Sequence, residues 1–215
     1  MPQITAIKET KKGRLALFLD GEFAFSLDEE TFAAADLHVE DELDAWQLEE
    51  LRRKSDTRKA IDRALDILAL RDHAAGELYQ KLCRKFDPHS AAAAVAKAEE
   101  LGLLNDESYA RRRAAELLRK RKSRREIAAD LNAKGIDRDT AAAVLDELLA
   151  APEDGEGDSP ELAAAVALIE KSYARKLAEG KRPQVMAALA RRGFPHGVIR
   201  EAVDRFAGEA DAGES

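Results

Sequence analysis

The spacing of apolar residues changes once along the chain, and that change divides it. Phe23, Phe25 and Leu27 alternate with Glu22, Ala24 and Ser26, the two-residue period of a strand with one covered face. Ile4 to Thr10 and Leu15 to Leu19 are two further strand-like runs, separated by the turn signal Lys11-Lys12-Gly13. Asp20-Gly21 marks a two-residue hairpin, because Gly accepts the positive φ such a turn requires. A three-stranded antiparallel meander is predicted. Asp28 is placed to cap a short helix through Ala35, with Phe32 inward. Asp44 is placed to cap another through Lys54, with Leu48 and Leu51 inward, and this unit is expected to end near Ser55-Asp56.

From Thr57 onward the spacing is helical. Ile61, Ala64, Leu65 and Leu68 fall on one stripe, and Ala141, Val144, Leu145, Leu148 and Leu149 on a second. Leu162, Val166, Ile169 and Tyr173 form a third, and Ile199, Ala202, Val203 and Phe206 a fourth. One hexapeptide pattern recurs within this region: Glu77-Leu78 to Leu82, Glu126-Ile127 to Leu131, and Gln184-Val185 to Leu189. Two copies continue as Lys134-Gly135-Ile136 and Arg192-Gly193-Phe194, where the Gly suits a left-handed helix end and the next hydrophobe packs back. The first copy has Lys85-Phe86-Asp87-Pro88 and lacks the Gly, so its exit must differ. Ser123-Arg124-Arg125-Glu126 is a capping box. Ala74 and Glu77 keep half of it in the first copy, and Pro183 stands where the third motif helix begins.

The expected fold class is mainly α: three tandem three-helix repeats in an elongated curved array, preceded by a small N-terminal β-meander with short helices. The boundaries read as 1–56 for the N-terminal unit, 57–102, 103–151 and 159–207 for the repeats, an acidic linker at 152–158 and a flexible tail at 208–215. Composition agrees, since Ala, Leu, Glu, Arg and Lys dominate and aromatics are 5%.

The net charge of -7 argues against a generic nucleic-acid coat. That average conceals an asymmetry: Asp20 to Glu50 holds twelve acidic residues without Lys or Arg, whereas Arg111 to Arg125 holds nine basic residues against one Glu. A single cysteine, Cys83, excludes an internal disulfide, and with four scattered His it leaves no zinc-ligand spacing. There is no phosphate-binding Gly loop, no nucleophile elbow, and no helix with paired His. His73, His89 and His196 read as capping or surface residues, so neither catalysis, a metal nor a cofactor is expected. No signal peptide is visible at the N-terminus, and no run nears the roughly 18 apolar residues that span a bilayer. A cytoplasmic monomer with no membrane association is expected.

The cationic segment is the candidate site. On a helix, Ala110, Ala114, Leu117 and Leu118 form an apolar stripe, and Arg111, Arg112, Arg113, Arg119, Lys120 and Lys122 spread over the opposite half. Arg121 falls near the stripe at the helix end. Arg124 and Arg125 open the next helix, where the macrodipole disfavours cations, which points to a role other than helix stability. The run is either a solvated face or a surface for phosphates or an acidic protein groove. A secondary set comprises Lys171, Arg175, Lys176, Lys181, Arg182, Arg191 and Arg192. Phe18, Phe23 and Phe25 around the hairpin are read as the core of the N-terminal unit, with a contact tip as the alternative.

Four segments in order carry a resemblance. Leu70-Arg71-Asp72-His73 with Glu77-Leu78 and Lys81-Leu82 resembles the first repeat of the RecX family. Gly102 to Ala110 is similar to the family's joining segment, Glu126, Leu131 and Lys134-Gly135-Ile136 to its second repeat, and Leu189 with Arg191 to Phe194 to its third. Ile4 to Leu27 resembles the N-terminal extension of some members, while Ala74, Asn105 and the missing Gly depart from the pattern. The resemblance implies three tandem three-helix repeats and a non-enzymatic protein that binds along the groove of the RecA nucleoprotein filament. Such a protein would lower strand exchange, ATP hydrolysis and co-protease activity. It also implies direct binding of single- or double-stranded DNA in some members. The rival readings are a DNA-binding module that competes for the same DNA and a helical scaffold for another protein.

Overall fold

The computed structural model describes residues 1–150 and 157–212, with side chains described to residue 206 in the last helix. Two compact units emerge, Met1–Leu104 and Asn105–Ser215.

The first unit opens with strands β1 (Ile4–Glu9), β2 (Leu15–Leu19) and β3 (Glu22–Leu27), paired antiparallel in the order β1-β2-β3. Asp20 and Gly21 both take positive φ, as a tight hairpin between right-twisted strands requires. Helix α1 (Glu29–Ala35) starts on Asp28, whose carboxylate accepts from Thr31 N at 3.0 Å. Ile4, Leu17, Phe25, Leu27, Leu37, Leu43 and Leu51 form the core, with Phe32 and Leu48 packed against it. Phe23 is not part of that core. The register shifts between Leu17 and Phe18, and Phe23 stands 61% exposed, edge-on to Phe18 at 5.9 Å.

Helix α2 (Ala45–Leu68) begins at the Asp44–Gln47 capping box and corrects the expectation of a short helix ending at Lys54. Position 56 lies inside it. Ser55, taken as a boundary, is fully buried and donates to Ser26 O at 2.6 Å, so a residue that often caps is satisfied by the sheet. With neither Gly nor Pro between Ala45 and Leu68, nothing breaks the ladder. The C-terminal half of α2 packs Ala60, Ala64 and Ile67 against α3 (Ala75–Leu82) and α4 (Pro88–Glu100), while Leu65 is exposed. Ala91, Ala94 and Ala98 face α2, and their small side chains let the two helices approach closely.

The second unit contains α5 (Asp106–Arg119), α6 (Arg124–Ala133) and α7 (Arg138–Leu149). It continues with α8 (Pro160–Ser172), α9 (Ala174–Ala178), α10 (Arg182–Arg192) and α11 (His196–Ala212). The opening helix of the third repeat is thus interrupted at Tyr173, adding the short α9 to the expected three helices. The two aliphatics of each recurrent hexapeptide, Leu78 and Leu82, Ile127 and Leu131, Val185 and Leu189, are all buried. Leu118, at the end of α5, packs into the third-repeat core of Leu168, Ile169, Val185 and Leu189, so the second and third repeats share apolar packing. The last helix runs through Ala212, past Gly208 where a tail was expected, because Ala and Glu continue it and no Pro stops it. Residue 151 of the second repeat, 152–156 of the expected linker and 213–215 of the tail lie outside the described residues.

Candidate polyanion-binding face

Helix α5 starts on Asn105, whose side chain accepts from Ser108 N at 2.8 Å, with Asp106 and Glu107 in the first turn. Ala110, Ala114 and Leu117 are buried, so the opposite half turns outward as the spacing indicates.

Most cations on that outward half are already engaged. Arg111 bridges Glu107 at 3.1 Å and Glu147 of α7 at 2.7 Å, and hydrogen bonding to Glu147 raises its pKa further. Arg112 donates to Ser108 Oγ at 2.8 Å. Arg113 grips Asp130 of α6 with two bonds of 2.8 and 2.9 Å and also meets Glu116 at 2.9 Å. The bonds to Asp130 push its pKa above the ordinary guanidinium range. Lys120 meets Glu116 at 2.5 Å and holds that carboxyl below its usual range, and Lys122 meets Glu126 at 2.6 Å.

The helix ends at Arg119, earlier than the cationic run, and its exit is informative. Lys122 N donates to Leu117 O at 3.1 Å and Arg121 N to Leu118 O at 2.8 Å, with Arg121 at φ 59°. This is the double bond pattern of a helix closed by one left-handed residue. Leu103 N to Ala98 O, Ile136 N to Leu131 O, Lys181 N to Lys176 O and Phe194 N to Leu189 O repeat it after α4, α6, α9 and α10. Those exits place Gly102, Gly135, Gly180 and Gly193 at the left-handed position, at φ 69°, 83°, 72° and 91°. Only the α5 exit places an arginine there, a conformation that costs a residue with a side chain roughly 1–2 kcal/mol. The Nε of Arg121 is buried and has no hydrogen-bond partner among the described residues.

The α5–α6 loop leads into the seam between the second and third repeats. Ser123 is fully buried; its hydroxyl donates to Arg192 O at 2.6 Å and accepts from Glu126 N at 3.2 Å. Glu161 of α8 accepts from Arg124 N at 2.9 Å, and the Arg124 guanidinium reaches Asp146 at 2.6 Å. Arg125 lies across Gly193: a Cβ there would sit 2.8 Å from Arg125 Cβ and 2.9 Å from its Nε. The cations that open α6 therefore have a structural explanation. One is paired, and the other rests on the C-terminal end of α10, where the macrodipole favours positive charge.

Arg119, Arg125, Arg191 and Arg192 form no ion pair among the described residues; Arg125 and the Arg192 carbonyl lie in this seam, Arg121 turns the loop that leads into it, and Arg119 and Arg191 neighbour them along the chain. Of the secondary set, Arg192 meets it through its carbonyl, with Arg191 next to it on α10. Arg175 and Lys181 pair with Glu179, Lys176 lies over Tyr173, Arg182 pairs with Asp204, and Lys171 is exposed on α8. Arg182 opens α10 and Arg192 closes it, about 15 Å apart along the axis. The face thus presents guanidinium groups suited to two-pronged contacts with phosphate or carboxylate oxygens. Arg121 is absent from the outward set read from the helical wheel, because the wheel assumes a helix that has already ended. Its signal was comparative: Lys120-Arg121-Lys122 occupies a helix exit like Lys134-Gly135-Ile136 and Arg192-Gly193-Phe194, without the Gly. Among the described residues, no group of three or more His, Cys, Asp and Glu could hold a metal, and no helix is long and apolar enough to cross a membrane.

Comparison with known proteins covers both units. The family model for the regulatory protein RecX N-terminal domain matches residues 2–44, that for the RecX first three-helix domain 60–97, and that for the second three-helix domain 105–145. Regulatory protein RecX of Bacillus velezensis is 31% identical over 98% of this chain and 80% of its own length. That of Bacillus subtilis is 28% identical over the same shares. A crystal structure of regulatory protein RecX shares the fold with a TM-score of 0.70 at 23% identity, covering 95% of this chain and all of that one. RecX from Lactobacillus salivarius gives a TM-score of 0.60 at 22% identity over 71% of this chain and 97% of its own.

Proposed function

The chain belongs to the RecX family of regulatory proteins, and we propose that it acts on the RecA nucleoprotein filament, by binding rather than by catalysis. The observation that carries this reading is the match to regulatory protein RecX over 98% of the chain, which includes all the elements that build the seam. Binding in the filament groove lowers strand exchange, ATP hydrolysis and co-protease activity. Its contact face is the α5–α6 exit with the seam beside it: Arg119, Arg121, Arg125, Arg191 and Arg192. These cations have no internal carboxylate to give up, so an external anion gains the full interaction. Arg111, Arg113, Lys120, Lys122 and Arg124 must first leave theirs and contribute less.

The test is RecA on single-stranded DNA, with ATP hydrolysis and strand exchange followed as the protein is added. Inhibition at near-stoichiometric amounts is expected, weakened by Arg119→Glu with Arg191→Glu in a folded protein. Full activity of RecA in its presence rejects the reading. The same unpaired cations also fit bare phosphates, and direct competition for DNA is the second reading. It requires binding to naked single strands whose logarithm falls with log salt by about 0.7 for each phosphate neutralised.

A further inference from the structure

The first repeat leaves its own motif helix differently from the second and third, and a cavity opens at that exit. Where Gly135 and Gly193 turn the chain left-handed, the equivalent Phe86 does not, and Lys85 N and Phe86 N both donate to Leu82 O at 2.9 and 3.0 Å. An aromatic side chain, Phe86, therefore stands at the position that is bare in the other two repeats, behind a cation, Lys85, where they carry Lys134 and Arg192. The cavity, of about 450 Å³, is lined by Arg63, Arg71, Lys81, Arg84 and Lys85 with Ile67 and Phe86 beneath and Leu70 at its rim. Its volume lies within the range of about 300–1,000 Å³ typical of ligand sites.

Three features make this more than a charged surface. Lys81 is oriented rather than free: its ammonium donates to His73 Nε2 at 2.7 Å, while His73 Nδ1–H donates to Arg71 O at 2.9 Å. His73 is buried, and that burial holds it below the ordinary imidazole range, so the ring stays neutral and accepts the bond at neutral pH. Arg84 and Lys85 have no partner among the described residues. Leu70 is 85% exposed at the rim, an apolar side chain in water beside a ring of cations. Glu77 pairs with Arg71 at 2.8 Å and Asp66 stands 3.9 Å from Arg63, while Arg84 and Lys85 form no ion pair among the described residues.

We propose that this cavity binds an acidic peptide segment that carries an aliphatic or aromatic anchor side chain. Carboxylates along such a segment meet Arg84, Lys85 and Lys81, and the anchor covers Leu70 and Phe86. A nucleotide fits less well. No Gly-rich run of backbone N–H groups lines the cavity to cradle phosphates, and Phe86, partly packed against the Leu78–Leu82 core, is backed by the aliphatic Ile67 and Leu70, which suit an apolar anchor. The inference does not depend on the RecA reading, because it concerns the first unit and a different set of cations.

Fluorescence anisotropy of a short labelled peptide of Glu and Asp with one central Leu, titrated with the full chain, tests it. Saturable binding is expected, weakened about tenfold or more by Arg84→Glu with Lys85→Glu and about threefold to fivefold by Leu70→Ser. Replacing the peptide's Leu with Ser should weaken binding by a similar threefold to fivefold. Arg84→Gln with Lys85→Gln gives a milder loss in the same direction, and circular dichroism establishes that each variant is folded. Reversal of Arg119 and Arg191 leaves peptide binding unchanged, which separates this site from the proposed filament face. Unaltered affinity in the Arg84 and Lys85 variants overturns the proposal, as does equal binding of the Ser peptide. So does a single-stranded oligonucleotide that displaces the peptide and depends on the same residues.

Discussion

Helices α5 and α10 end on the same pair of backbone hydrogen bonds and differ in the residue that makes the turn. At α10 it is Gly193, which adopts φ 91° without strain and leaves room for Arg125 to lie across it. At α5 it is Arg121, held at φ 59° with a buried Nε that has no partner. One exit is built for stability and close packing. The other retains a strained, unsatisfied cation where a glycine would serve the fold better, the arrangement expected where binding rather than stability sets the residue.

The largest effect is expected from removing what makes the α10 exit cheap. Gly193→Ala combines a left-handed alanine with a Cβ 2.8 Å from Arg125 Cβ, an atom that no rotamer change can move. A loss of about 2–4 kcal/mol in urea unfolding follows. A loss near zero would mean that the two repeats are not in such close contact. Ser123→Ala is next. It removes a helix cap and leaves Arg192 O without its donor, a loss of about 1–3 kcal/mol by the same measurement. Arg121→Gly should change sign, raising stability by about 1 kcal/mol while weakening inhibition of RecA-dependent ATP hydrolysis. If it stabilises the protein and inhibition is unchanged, Arg121 has no part in the contact. Smallest is Arg111→Gln, whose exposed ion pairs contribute little. Stability should stay within about 0.5 kcal/mol and inhibition should hold, in contrast to Arg119→Glu.

Much of the fold was legible because it rests on short-range chemistry. The Asp20-Gly21 hairpin, the Asp28, Asp44 and Ser123 caps, and the glycine exits at Gly135 and Gly193 all appear where residue type placed them. What was misread involved distant partners. The boundary at Ser55 dissolved because its hydroxyl found Ser26 O, 29 positions earlier. Phe23 left the core through a register shift that alternation cannot reveal. The candidate site was half legible. The cationic run was plain, but its arginines were equivalent until Asp130 and Glu147 engaged Arg113 and Arg111 and left Arg119 exposed without an ion pair.

By itself the amino-acid order determined the helix starts at Asp28, Asp44 and Ser123, the glycine exits at Gly135 and Gly193, and the inward aliphatic pair of each recurrent hexapeptide. Those choices are made by groups within about four residues of one another, the reach of a helical hydrogen bond. Which cations remain free for a partner, and which glycine lies beneath an arginine from another repeat, was decided by tertiary structure. A charge is neutralised by whatever carboxylate the fold brings within a few ångströms, however far away it lies in the chain.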